Sequence, residues 1–301
     1  MSANSYAPVV LFTFNRLDHT QKTVKHLQQN YLAEDTDLII YSDAARSVSE
    51  EITVLAVRDY LETIKGFKSI QINYRENNNG LATNIITGVT EILEKHKKII
   101  VLEDDLITSK NFLCYMNQSL EKYQNNNKIF SISGYTMDLK SIQTIHQDNY
   151  LSLRPASWGW ATWLDQWKDI DWEVKDYDQF IQNKIKIERF NQGGPDLTRM
   201  LKDYFKGKNN SWAIRWSYAQ FKAGKYSSYP KISKIQNIGF GAEATHCKGI
   251  NIYQTTIDQS ETCNFKLLDK TSTVPQIIKE FKYKFSYTNK FIKKILNLFK
   301  K

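Results

Sequence analysis

The feature that most constrains this chain is the alternation in its first hundred residues. Short apolar runs, V-V-L-F-T-F (9–14), D-L-I-I-Y-S-D (37–43), I-Q-I-N-Y-R (70–75) and K-I-I-V-L (98–102), are separated by longer stretches with apolar residues at helical spacing. The runs read as strands and the stretches between them as amphipathic helices. The first helix starts near Asp18 and turns Leu17, Val24, Leu27 and Tyr31 to one face. The second opens at S-V-S-E (47–50), which has capping-box spacing, and carries Ile52, Ala56, Tyr60 and Ile64 until Gly66 stops it. The third follows N-N-N-G and places Leu81, Ile85, Val89 and Ile92 in one stripe. Alternation of this kind predicts an α/β protein, a mostly parallel sheet with helices on both faces.

In such sheets ligands bind beyond the carboxyl ends of the strands. The polar residues expected there are Thr13, Asn15 and Arg16 after the first strand, Asp43 after the second, R-E-N-N-N-G-L-A-T-N (75–84) after the third, and Glu103, Asp104 and Asp105 after the fourth. Three like charges at one strand end suit a hard divalent cation, which prefers carboxylate oxygens and neutralises a phosphate leaving group. The alternative is that the acids precede a helix capped by Thr108 or Ser109 and favour its positive end. Arg16 can pair with a phosphate bidentately. Asp43 can accept a hydrogen bond from a base or a ribose, or close a turn. Asn79, Gly80 and Asn84 lie where a helix N-terminus would face a bound anion.

The second half reads as less regular. All seven tryptophans fall between Trp158 and Trp216, five of them within 158–172. Trp158, Trp160 and Trp163 are expected to offer a platform for a sugar ring, and Trp212 and Trp216, four residues apart, to share a helix face; packing in the core is the competing role. The net charge of +9 sits mostly in the tail, since from Gln276 onward there are eight lysines and one glutamate. That argues against a nucleic-acid-binding body. In F-I-K-K-I-L-N-L-F-K-K (291–301), Phe291, Ile295, Leu298 and Phe299 form a stripe flanked by lysines, the pattern of a helix lying on anionic lipid. The N-terminus shows no signal-peptide pattern and no run spans a bilayer. Cys114, Cys247 and Cys263, an odd number at unrelated spacings, are expected to be reduced thiols. Together these lead us to expect a cytoplasmic chain, peripheral on the inner face of the plasma membrane.

Taken as a set, V-V-L-F-T-F-N-R, I-I-Y-S-D, E-N-N-N-G-L and V-L-E-D-D resemble the nucleotide-sugar half of GT-A fold glycosyltransferases, in particular the N-acetylglucosaminyltransferase I-like group and its bacterial sugar-transferase relatives. R-P-A-S-W-G-W-A-T-W (154–163), S-W-A-I-R-W (211–216), Y-P-K-I-S (229–233) and N-I-G-F-G-A-E-A-T-H (237–246) resemble the acceptor half. The resemblance implies residues 1–149 as the nucleotide-sugar half, 150–273 as the acceptor half and 274–301 as a basic tail. It implies a UDP-sugar donor such as UDP-GlcNAc, Mn²⁺ or Mg²⁺, and a glycan or lipid-linked glycan acceptor in bacterial surface polysaccharide synthesis. By the same resemblance Asp105 binds the metal, with His246 a weaker candidate. Glu103 and Asp104 contact the nucleoside or sugar, Asp43 reads the base, and Arg16 holds the nucleotide. Trp158, Trp160 and Trp212 face the acceptor.

One departure stands out. Inverting members carry a carboxylate base in the segment matching 209–216, where this chain has Asn210, Ser211 and Ala213. Asp196, Asp203 and Glu243 are the remaining candidates for the base that an inverting displacement requires. A sugar nucleotidyltransferase is the second enzymatic reading, but N-R-L-D-H-T after the first strand lacks the glycine-rich loop that grips a triphosphate. A non-catalytic nucleotide-sugar or glycan-binding protein is the third. An oxidoreductase is disfavoured because no G-x-G-x-x-G follows the first strand.

Overall fold

The computed structural model describes residues 6–240, 253–289 and 291–292. The alternation unfolds as expected at first: β1 (Val9–Thr13), α1 (Leu17–Gln28), β2 (Asp37–Ser42), α2 (Val48–Leu61), β3 (Ser69–Tyr74), α3 (Gly80–His96) and β4 (Lys98–Glu103). A short β5 (Leu106–Thr108) and α4 (Phe112–Tyr123) follow, then β6 (Ile129–Ser133), β7 (Asn149–Ser152) and β8 (Trp160–Trp163). Next come a cluster of helices, α5 (Leu164–Trp167), α6 (Tyr177–Gln182), α7 (Lys184–Phe190), α8 (Leu197–Phe205) and α9 (Trp212–Ala223). The chain closes with β9 (Tyr226–Pro230), β10 (Ile235–Asn237) and α10 (Pro275–Lys284).

One sheet gathers most of the strands in the order β3-β2-β1-β4-β8-β6-β9-β7. The first four run parallel, as does the β6–β9 pair. β8 runs against both β4 and β6, and β7 against β9. Strand residues alternate between faces, so each strand feeds two cores. Val9, Leu11, Leu38, Ile40, Ile100 and Leu102 pack with α1, α2 and α4. Val10, Phe12, Ile39, Tyr41, Ile99 and Val101 pack with α3, α5 and α9. A third cluster, including Phe180, Phe190, Leu201 and Tyr218, holds α6 to α8 against the outer side of α9. This is the α/β arrangement expected.

Four sequence expectations are corrected. α1 ends at Gln28, leaving Tyr31 outside it and exposed. In α2 the buried face is Val54, Val57 and Leu61, while Ile52 is among the most exposed apolar residues. Its capping box does not form: the Ser47 hydroxyl caps no backbone N–H, and Glu50 accepts from the backbone N–H of Arg46 rather than that of Ser47. Cys114 and Cys263 are joined in a disulfide rather than held as free thiols. They meet because the segment from Tyr253 to Asp269 returns across α4: Gln118 exchanges two hydrogen bonds with the backbone of Phe265, and the Asn111 amide reaches Asp258 and Ser260. Cys247 lies outside the described residues.

The returning segment is fixed at its other end by an ion pair. Lys234 Nζ contacts Asp258 Oδ2, both side chains being almost wholly buried. Burial works to raise the Asp258 pKa, but the Lys234 ammonium, the Ser260 N–H and the Asn111 amide overcome it and hold the carboxyl below its ordinary value. Further on, Ile277 and Phe281 of α10 are buried, so the start of the basic tail is docked. Phe291 and Ile292 are exposed, and the rest of the expected lipid-facing stripe lies outside the described residues. No helix among the described residues is long and apolar enough to cross a membrane.

Candidate active site

The carboxyl ends of β1, β2 and β4 open into a cavity of about 670 Å³, lined on one side by these strand ends and the start of α3 and on the other by residues 208–213. Such a cavity at the strand ends of an α/β sheet is the natural place to look for a site.

The acidic triplet forms part of its floor. Glu103, Asp104 and Asp105 are half-buried and all line the cavity. β5 intervenes before α4, whose first turn has no acid, so the triplet does not serve as the helix-end charge that the alternative reading required. Withdrawal from water, reinforced by Asp105 and then Asp104, raises Glu103 well above the usual carboxylate range. Asp104 is pushed up to about 7, first by burial and then by Asp105, against the pull of Arg16 and the Phe14 N–H. Asp105 is raised by burial and opposed by Arg16 and His19.

The two aspartates are nonetheless fixed. The Phe14 N–H donates to Asp104 Oδ2 at 3.2 Å, and Thr23 Oγ donates to the Asp104 carbonyl at 2.8 Å. Arg16 Nη1 meets Asp105 Oδ2 at 3.2 Å, and its Nη2 donates to His19 Nε2 at 2.6 Å. A guanidinium has no acceptor, so His19 presents a lone pair there. Burial, then the Arg16 charge, lowers the His19 pKa. From the other side the Ile238 N–H donates to the Asp105 carbonyl and the Asn237 amide to its carboxylate. Gly239 lies against the same carboxylate, and a Cβ on it would come within 1.9 Å of Asp105 Oδ2. Asn237 and Gly239 were not among the expected donor-site residues; N-I-G-F-G marked the stretch without showing that it reaches the acids.

Asp43 organises the neighbouring loop. Oδ1 accepts the N–H groups of Ala44 and Asn79, and Oδ2 accepts the Gly80 N–H and the Asn78 amide, all at 3.0–3.1 Å. The carboxylate therefore fastens the end of β2 to the start of α3. Gly80 has φ +71, a conformation that glycine accepts readily. Thr13, Asn15, Arg16, Gly80 and Asn84 line the cavity; Asn79 borders it through its bond to Asp43. Phe14 and Arg46 also line it, with the Arg46 guanidinium 5.0 Å above the Phe14 ring and held by Glu50. No motif announced Arg46.

The opposite wall is Ser157 and Trp158 together with Lys208 to Ala213. Arg215, only 8% exposed, shapes it by donating to Ser211 O, Trp172 O, Tyr204 OH and Asn210 Oδ1. Ser211 caps α9 by accepting the Ile214 N–H. Trp158 and Trp212 reach the cavity, but Trp160 and Trp163 do not. β8 is an interior strand covered on both faces, so the expected platform of three is reduced to Trp158. Trp160 instead stacks on Trp167 at 5.6 Å and meets Trp216 at 4.3 Å in the core.

The remaining expected site residues lie elsewhere. Asp196 is buried beside Arg154, 2.8 Å away, and does not line the cavity; nor does Asp203 in α8. Glu243 and His246 lie outside the described residues. Among the described residues the carboxylates lining the cavity are Asp43 and the triplet, and the wall at 208–213 has none.

No protein-family model matches the sequence, and no curated protein is significantly similar to it. Among solved structures the chain is similar to the mannosyltransferase PcManGT from Pyrobaculum calidifontis in complex with GDP-Man and Mn²⁺, at 12% identity and a TM-score of 0.36, over 54% of this chain and 46% of that one. It is also similar to TarS from S. aureus, at 8% identity and a TM-score of 0.43, over 78% of this chain and 37% of that one. The chain thus spans less than half the length of either. Likeness at this level carries nothing about substrate or reaction.

Proposed function

We propose that the chain is a glycosyltransferase that binds a nucleotide-diphosphate-sugar in the cavity at the strand ends. The observation that carries this reading is the triplet Glu103-Asp104-Asp105, half-buried beside Arg16 in the same cavity as the start of α3. Three acids with a single guanidinium against them leave excess negative charge, which a divalent cation relieves. The donor set is all hard oxygen, and the missing Cβ at Gly239 keeps space at Asp105. Among the described residues no three acids or histidines converge on one point, so Mn²⁺ or Mg²⁺ would be held by Asp105, with Asp104 behind it and the remaining oxygens supplied by the diphosphate and water. When bound, the ion supplies charge to a departing diphosphate. Arg16 would hold phosphate oxygens, and Asp43 keeps the start of α3 in place on the side toward which the nucleoside extends.

The finer proposals are a UDP-sugar such as UDP-GlcNAc, transfer with inversion, and a glycan or lipid-linked glycan acceptor of bacterial surface polysaccharide synthesis lying against Trp158 and Trp212. They are supported by the motif resemblance of residues 8–250. Peripheral attachment to an anionic membrane is proposed from the lysines of the tail alone.

The test is thermal stabilisation by UDP and GDP with Mn²⁺, Mg²⁺ or EDTA. Stabilisation is expected only with metal, and Asp105→Ala is expected to remove it. A variant that keeps metal-dependent stabilisation would sink the assignment of Asp105. The acid-free wall at 208–213 favours one other reading, a nucleotide-sugar binder without turnover. Release of UDP from UDP-GlcNAc over a panel of glycans separates the two, since a binder gives none.

A further inference from the structure

Asn84 lines the cavity, yet its residue surface is only 4% exposed. Its amide is not free to turn. Arg75 Nε donates to Asn84 Oδ1 at 3.0 Å, and an arginine can only donate, so the oxygen faces Arg75 and the NH₂ faces away. Arg75 is itself held. Its guanidinium lies 4.6 Å over the Tyr41 ring, its N–H donates to Ser42 O, and its carbonyl accepts from Arg58. Among the described residues Nδ2 of Asn84 has no partner. Nδ2 stays within reach of cavity water, so the locked orientation presents a donor to whatever ligand fills the cavity.

Its position indicates which part of a ligand. Arg75 follows β3, and Asp43 ties the start of α3 to β2. In the sheet order β3-β2-β1-β4, these ends stand two or three strands from the triplet, roughly 10–15 Å at ordinary strand spacing. A diphosphate at Arg16 and Asp105 would extend its nucleoside toward them. We propose that Asn84, oriented by Arg75, selects nucleobases that present a carbonyl oxygen where others present an amino group. It accepts uracil through O4 or guanine through O6, and rejects cytosine and adenine, whose amino groups would oppose its own. This rests on the donor reading above. Arg75 is a positioning residue; Asn84 is the contact.

Binding of UDP, CDP, GDP and ADP to the full chain with Mn²⁺, measured by titration calorimetry, tests it. Within each ring size the oxo member should bind about ten-fold or more tightly, since the mismatch buries an unpaired donor. Equal affinities, or a preference for CDP and ADP, overturn the proposal while leaving the donor reading intact. Failure of all four nucleotides to bind removes both. Asn84→Asp places an acceptor there and should invert the UDP/CDP ratio; a variant that keeps the oxo preference also overturns the proposal. Arg75→Met frees the amide to turn and should bring the ratio toward one, an effect that general loosening of the site would not produce. If either variant folds poorly, the wild-type ratios still decide.

Discussion

At the scale of single residues, the contacts that fix this molecule are between groups far apart in sequence. Lys234 and Asp258 show how much one such pair can carry. Replacing Asp258 with Asn leaves a buried ammonium without its counter-charge, which costs on the order of 3–5 kcal/mol. Urea denaturation at pH 7 should show that loss. The pH dependence has a definite sign. The folded Asp258 pKa lies below its unfolded value, so its contribution is complete above about pH 4 and disappears as the pH falls through the folded value. Lys234, Asn111 and Ser260 face it, and Asp148 acts on Lys234; none of the neutral partners titrates. The gap between wild type and Asp258→Asn should therefore narrow in acid, and a gap that widens there would contradict the pairing. Neither residue stood out in the sequence. A lysine in Y-P-K-I-S-K-I and an aspartate in T-I-D-Q look like surface residues until the chain folds back.

At the scale of elements, the alternation of β1 to β4 was legible because period-two and period-3.6 patterns are local properties. The acids at the end of β4 were legible for the same reason, since a strand end is where a parallel sheet presents its loops. The phase of α2 was not. Val48, Ile52 and Leu55 make as good a stripe as Val54, Val57 and Leu61, and only packing against the sheet decides between them. The tryptophans misled in the opposite direction: W-G-W-A-T-W reads as a loop platform, yet alternation in β8 buries Trp160 and Trp163. Asp43 was found at its place, but its bonds were not foreseeable. Asp43→Ala should strip acceptors from the Asn79 and Gly80 N–H groups, costing about 1–3 kcal/mol, and should also weaken binding of UDP or GDP. Unchanged stability and unchanged affinity together would show that the loop does not depend on it.

At the scale of the whole molecule, the disulfide is the tie that sequence arithmetic could not find. It closes a loop of 149 residues, and loop-closure arguments put such a cross-link at roughly 4–5 kcal/mol. Cys263→Ser should lower the urea midpoint accordingly, and added reductant should reproduce the effect in the wild type but not in the variant. Equal midpoints with and without reductant in the wild type would show that the bond adds nothing.

The reversed strand β8 has a consequence for synthesis on the ribosome. β1 to β4 come from one continuous stretch and can pair as soon as they emerge. Until Trp160 to Trp163 arrive, β4 is an open edge of that nascent sheet, opposite β3, with apolar faces and unpaired backbone. The strand that later aims the acids is thus vulnerable to wrong pairing during growth. Its natural protector is the tryptophan-rich strand that the finished protein hides in its core.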